Sequence, residues 1–379
     1  MYHLYHEYCN TLQNKRKYRQ LPDVTLAPDF IDFSTNDYFN LSKSEILLEA
    51  AKLAGMQFGV GSTGSRLLSG NTKIFEDFEI QIAQDKKTES SLILNSGFQG
   101  NVTVLASLLD QSVLGSKPVV FFDKLNHASL YQAVFLSGAE LVRYRHNDMD
   151  HLSNLLAKFA NVLRPKFIVT ETIFGMDGDI VPIEEIFTLS KEYGAFLYLD
   201  EAHATGVIGD RGYGLSTSIN LQEIPHLVLG TFSKALGCFG AYVACSQVIK
   251  NYLINKCAGF IYSTSLSPIV IGAAAKAWSL MPHLSDQRQT LYLKATNLRD
   301  KLKMLGFDTG DSTMHIIPII LSDEDTVMNA KAKLLEQGIV VSAIRPPTVP
   351  PGTSRLRVAL NVNHSEENIN RLLHVLKQV

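Results

Sequence analysis

A lysine set among apolar and small residues is the first position that could do chemistry. Lys234 lies in Thr231-Phe232-Ser233-Lys234-Ala235-Leu236-Gly237, directly after an apolar run, His226 to Gly230, that reads as a buried strand. A second apolar run follows from Ala241 to Cys245. A lysine points into an interior only when something pairs with it or reacts with it. The hydroxyls before it and Gly237 and Gly240 after it leave room for a flat ligand with a phosphate. A Schiff-base lysine holding pyridoxal phosphate needs that room. For a lone Ser-Lys, a surface lysine in a strand-to-strand loop would be the better reading. A second stretch tips the balance the other way: Phe196-Leu197-Tyr198-Leu199-Asp200-Glu201-Ala202-His203. An acid at a strand end, with a histidine three residues on, suits a pyridinium nitrogen and a phenolate oxygen.

Other candidates are weaker singly. Ser96-Gly97-Phe98 opens a helix after a strand, and free N–H groups at a helix N-terminus bind anions. Gly59 to Arg66 is glycine-rich, but no strand precedes it and no Gly-Lys-Ser/Thr closes it. It therefore matches neither a Walker loop nor a dinucleotide fingerprint.

The elements that must position these residues alternate in the βαβ manner, implying an α/β fold with a mostly parallel sheet covered on both faces. Strands are expected at 91–94, 119–122, 140–144, 166–170, 196–199, 226–229 and 241–245, with helices over 73–84 and from Gly97 to about Leu109. Before them come a helix over 2–19, a short strand over 29–34 and a helix over 44–57. After residue 250 the texture changes to long helices (269–281 and 284–305). Strands follow at 316–321, 339–343 and 355–360, with helices over 325–337 and 366–377. Three units are expected: an N-terminal segment, 1–45; a large cofactor-binding α/β domain, 46–279; and a small C-terminal α+β domain, 280–379.

Composition excludes several classes. A chain of 379 residues with a formal net charge of −2 has no basic field for nucleic acid. With 46% hydrophobic and 19% charged residues it has the balance of a soluble globular protein. The four cysteines form no metal-ligand spacing and read as reduced thiols, so no metal is expected and a cytoplasmic setting is. No signal peptide or membrane span is visible.

Together these motifs resemble the pyridoxal-phosphate α-oxoamine synthases of aminotransferase fold-type I. The match runs over nearly the whole chain, from Phe33-Ser34-Thr35-Asn36-Asp37-Tyr38 to Leu356-Arg357. It includes Asn126-His127-Ala128-Ser129, Met176-Asp177-Gly178-Asp179, Tyr262-Ser263-Thr264-Ser265 and Ala343-Ile344-Arg345-Pro346-Pro347-Thr348-Val349-Pro350. The last run favours the branch that makes 8-amino-7-oxononanoate in biotin synthesis. The resemblance implies condensation of L-alanine with a pimeloyl thioester, on CoA or on an acyl carrier protein, with loss of CO2. A glycine C-acetyltransferase is the alternative enzyme; a binding or regulatory protein without turnover is the alternative of another class. It also implies a homodimer with shared active sites.

Residue by residue, the resemblance makes Lys234 the cofactor lysine and base, and pairs Asp200 with the ring nitrogen. His203 would bond the 3-oxygen and His127 would stack on the ring. Ser96, Gly97, Phe98, Thr231 and Ser233 would hold the phosphate, with Thr264 reaching it from the neighbouring subunit. Arg345 would bind the amino-acid carboxylate, with Asn36 nearby. Two departures from the family pattern are Gly175, often serine, and Ala204, often glycine.

Overall fold

The computed structural model describes residues 1–14, 17–21 and 30–378. Its strands, in chain order, are β1 (Ile31–Asp32), β2 (Ser90–Leu94), β3 (Val119–Asp123), β4 (Glu140–Tyr144), β5 (Lys166–Glu171) and β6 (Phe196–Asp200). Then come β7 (His226–Thr231), β8 (Ala241–Cys245), β9 (Ile316–Ser322), β10 (Ile339–Val340), β11 (Ser342–Ile344) and β12 (Ser354–Ala359). Seven form the central sheet, in the order β2-β8-β7-β6-β5-β3-β4. From β7 through β4 every pairing is parallel. β8 runs against both its neighbours. The loop from 232 to 240 is too short for the crossover that a parallel partner would need, so β8 must turn back. Lys234 sits in that turn.

Parallel strands covered on both faces read as unbroken apolar runs. β3 is buried throughout, and Val120 and Phe122 pack into one core cluster while Val119 and Phe121 pack into another. Truncating a buried phenylalanine there to alanine would cost about 3–5 kcal/mol. Helices shield both faces, among them Ala128–Ser137, capped by His127 and ended by left-handed Gly138.

The C-terminal part holds a smaller antiparallel sheet, β11-β12-β9. One strand expected over 339–343 is in fact two. β10 pairs with β1, while β11 pairs with β12, so the chain changes partner at Val341. The N-terminal helix is shorter than expected, Tyr2–Asn14, and buries none of its residues. Of the strand expected at 29–34 only Ile31–Asp32 is paired, and Asp29 falls outside the described residues. No helix is long and apolar enough to cross a membrane among the described residues.

One ion cluster locks the sheet to the Met176–Asp179 turn. His146 lies 3.0 Å from Asp123 Oδ1 and 2.8 Å from Asp179 Oδ2. Burial pulls its pKa down, but hydrogen bonds and charge from the two carboxylates outweigh that and lift it from 6.5 to about 10. The raised folded-state value makes the stabilising contribution complete below about pH 6.5 and lost as pH climbs to about 10. Chemical denaturation of wild type and His146→Asn should therefore show a stability gap that narrows between about pH 6 and pH 10. A gap that does not change would mean that His146 is neutral in the folded chain.

Candidate active site

Three of the sheet's parallel strands end in residues that could react or bind: Glu171 on β5, Asp200 on β6 and Thr231 on β7. Ligands of open α/β sheets collect at these carboxyl ends. Glu171 and Asp200 are register partners, side by side on adjacent strands.

Asp200 is buried and fully directed. Asn101 Nδ2 donates to its Oδ2 at 2.6 Å, and the Ala202 N–H donates to Oδ1 at 2.8 Å. Asn101 is itself fixed, accepting from the Tyr198 hydroxyl at 2.9 Å and donating to Ser129 Oγ at 3.0 Å. It opens a π-helical turn, Asn101–Leu105, inside the helix that starts at Gly97. Such turns cluster at functional sites because the extra residue re-aims one side chain. The sequence pattern predicts that helix without its bulge.

Lys234 is partly buried, and its Nζ lies 2.7 Å from His203 Nε2. Burial lowers its pKa to about 8, against the pull of Asp200 and Glu171 in the other direction. His203 is depressed well below 6.5 by burial and then by the charge of Lys234. Its Nδ1 lies 2.7 Å from the Tyr38 hydroxyl, which reaches Asn36 Oδ1 at 3.2 Å. Arg357 Nη2 donates to the same Asn36 oxygen at 3.0 Å, and Arg357 Nε donates to Gly175 O at 2.6 Å. A Cβ on Gly175 would collide with the His203 ring, so the glycine lets the imidazole sit where it does. Ala204, the other departure, follows His203 directly and is fully buried.

His127 presents an exposed ring whose Nδ1 is held 2.7 Å from Ser129 Oγ. Its backbone N–H donates to Glu171 Oε1 at 2.6 Å. Burial and the neighbouring Asp200 push Glu171 up to about 8. Reading along the sequence misses Glu171, where the only signal is an acid one residue beyond an expected strand.

Ser96 caps the helix at Gly97, taking the Gln99 N–H at 3.2 Å. A Cβ on Gly97 would stand 3.8 Å from Thr231 Cβ, which places the helix N-terminus against the end of β7. Thr231 Oγ1 accepts from the Ser233 N–H at 3.1 Å, and Ser233 and the half-exposed Phe98 flank this corner. Thr264 is exposed, and its carbonyl accepts from Asn95 Nδ2 at 2.7 Å. The glycine-rich 59–66 stretch braces that segment: Ser62 bonds Leu266 O, and Arg66 is spent on Glu79 at 2.8 Å.

Arg345 stands apart from this set. It follows β11 and lines a cavity of about 650 Å³ with Tyr8, Lys17, Arg19 and Thr348. Arg357, on the neighbouring β12, is the arginine that joins Asn36 and the histidine network. In the sequence, Leu356-Arg357 does no more than mark where the resemblance ends.

The aminotransferase class I and II family model matches residues 28–376. An 8-amino-7-oxononanoate synthase of Gluconacetobacter diazotrophicus is 44% identical over 349 residues, covering 92% of this chain and 87% of its relative. A protein of Paramagnetospirillum magneticum, provisionally named 8-amino-7-oxononanoate synthase, is 48% identical over 345 residues, 91% of this chain and 87% of the other. Among solved structures, a lysine-to-alanine variant of serine palmitoyltransferase from S. paucimobilis with bound PLP–myriocin aldimine superposes with a TM-score of 0.85. It is 28% identical and covers 92% of this chain and 87% of that one.

Proposed function

The chain belongs to the aminotransferase class I and II family, and from that premise we propose that it joins L-alanine to a pimeloyl thioester with loss of CO2. The product is 8-amino-7-oxononanoate, for biotin synthesis. The observation that carries the reading is the placement of Lys234, His203, Asp200 and Arg357 around one end of the sheet.

These residues fit pyridoxal phosphate. A directed carboxylate, a lysine amine held near neutrality, an exposed imidazole and a helix N-terminus beside two hydroxyls match its ring nitrogen, aldehyde, ring face and phosphate. When bound, the cofactor supplies a sink for the electrons left behind as a proton or CO2 departs. Lys234 would hold it covalently and, when not so engaged, would serve as the base for the α-proton; a pKa of about 8 suits both roles. Asp200 would pair with the ring nitrogen and keep it protonated. His127 would cover the ring face and His203 would hold the 3-oxygen. The N–H groups of Gly97 and Phe98, with Ser96, Thr231 and Ser233, hold the phosphate. Arg357 grips the alanine carboxylate through a two-pronged guanidinium contact, with Asn36 beside it. The cavity lined by Arg19, Arg345 and Lys17, the last also paired with Glu324 at 3.8 Å, has basic residues and no acidic one in its lining, and it takes the far carboxylate of the pimeloyl chain.

Product formation with alanine, glycine and serine, each against pimeloyl-CoA, a pimeloyl carrier protein and acetyl-CoA, tests the proposal. Alanine with a pimeloyl donor should be fastest. Preference for glycine with acetyl-CoA would make the chain a glycine C-acetyltransferase, and no turnover with any pair would favour a non-catalytic role.

A homodimer with shared sites belongs to the same proposal. It rests on exposed Tyr262 and Thr264 beside the Asn95–Ser96 turn and on an N-terminal helix that buries nothing within its own chain. Mixing Lys234→Ala with Thr264→Val subunits should restore part of the activity, because one hybrid site is wild type at both positions. Sedimentation of a fully active monomer would rule this out.

A further inference from the structure

A single line of hydrogen bonds runs from Arg357 to Lys234, and the chemistry of its members allows only one direction. Arg357 has donors and no acceptor, so the Asn36 atom that meets it at 3.0 Å is the carbonyl oxygen. That oxygen can only accept, so the Tyr38 hydroxyl, 3.2 Å away, spends its one proton on it. The same hydroxyl lies 2.7 Å from His203 Nδ1. Having no proton left, it must accept there, and Nδ1 must carry the hydrogen. Nε2 is then bare and faces Lys234 Nζ at 2.7 Å.

We propose that Tyr38 is a positioning residue that, in the cofactor-free protein, holds His203 as the Nδ1–H tautomer, with Nε2 kept as a proton acceptor toward Lys234. The inference goes beyond the acyl-transfer reading and uses only residues of this chain. The surroundings keep the arrangement in one state. Tyr38 is completely buried, and burial lifts its pKa to about 12, so it remains a hydroxyl. The ring of His315 meets the Tyr38 ring with centroids 3.9 Å apart at 69°, which stops it swinging. His315 is itself uncharged, its pKa brought to about 3 by burial and by Arg357. The charged and titratable groups that act on Lys234 and His203 are Asp200, Glu171, Arg357, His127 and His315. None of them competes for Nδ1.

The purpose is a defined partner for the lysine. A bare Nε2 accepts from an ammonium and steadies its charge, whereas an Nε2–H would point a proton at it and favour the neutral amine. Without Tyr38, burial and the charges of Asp200, Glu171 and Arg357 would act on the lysine with no fixed acceptor at Nε2.

The test uses cofactor-free protein labelled with 15N-histidine. Wild type should show His203 with a protonated Nδ1 and an unprotonated Nε2. In Tyr38→Phe the ring packing remains, but Nδ1–H loses its acceptor, and the Nε2–H tautomer should become the main one. Asn36→Leu should give the same reversal, because the freed hydroxyl turns its proton to Nδ1. The second readout is the pH dependence of pyridoxal phosphate capture by the cofactor-free protein. Its midpoint should fall by about one to two pH units in Tyr38→Phe, the worth of one hydrogen bond to a charged group. An Nε2–H tautomer in wild type would overturn the proposal even if neither variant folds. So would a folded Tyr38→Phe with an unchanged tautomer and midpoint. Neither readout needs alanine or a thioester, so failure here leaves the acyl-transfer reading standing.

Discussion

Lys234→Ala is expected to stop turnover, with kcat lower by a factor on the order of 10⁴ or more, because in the proposed reaction one change removes both the covalent anchor and the base. The fold should survive. Lys234 makes no ion pair among the described residues, and its hydrogen bond is to a histidine whose own position is fixed from the far side by Tyr38. The purified variant should bind pyridoxal phosphate only through the remaining contacts, so dialysis strips it. Borohydride should fix the cofactor to Lys234 in wild type and leave the variant unlabelled. Label recovered on a different lysine, or near-normal turnover, would remove Lys234 from the centre of the reaction.

Arg357→Lys carries the second largest effect and separates two arginines. Lysine keeps the charge but loses the planar fork, so one charged hydrogen bond is lost. That costs about 1.5–3 kcal/mol, or roughly 10- to 150-fold in the apparent affinity for alanine. Arg345→Lys should leave the alanine KM unchanged and raise the KM of the pimeloyl donor, since Arg345 lines the same cavity as Lys17 and Arg19. The two substitutions are read in one steady-state experiment with both substrates varied. If Arg345→Lys weakens alanine and Arg357→Lys does not, the carboxylate belongs to Arg345, as the proline-rich motif suggests.

The arginines show where reading along the chain loses its grip. Ala343 to Pro350 is conspicuous because prolines stiffen the loop, and stiffness makes Arg345 look like a clamp. Arg357 sits in β12, Ser354-Arg355-Leu356-Arg357-Val358-Ala359, where polar and apolar residues alternate as in any strand, and nothing local sets it apart from Arg355. What makes it a candidate for the carboxylate is the pairing of β12 with β11 and β9, which carries its guanidinium to Asn36 and Gly175, both far away in the chain. The same holds for Asn101. A helix with a regular apolar face predicts no bulge, and only the π turn directs its amide onto Asp200.

By itself the sequence determined the class of fold and the cofactor, and it singled out the lysine proposed to hold that cofactor. Each of these is written locally: apolar runs at strand length, an acid at a strand end, and a lysine in a turn between two buried strands. A backbone period of two or 3.6 residues acts over a few turns, so short-range pattern suffices. The tertiary structure decided which carboxylate lies beside Asp200, which arginine reaches Asn36, and which nitrogen of His203 faces Lys234. Glu171, Arg357 and Tyr38 come from three distant elements, and each acquires its role through a neighbour in space. Electrostatics and hydrogen bonds act across gaps of about 3 Å whatever the separation along the chain, so this part of the site exists only once the sheets have closed around it.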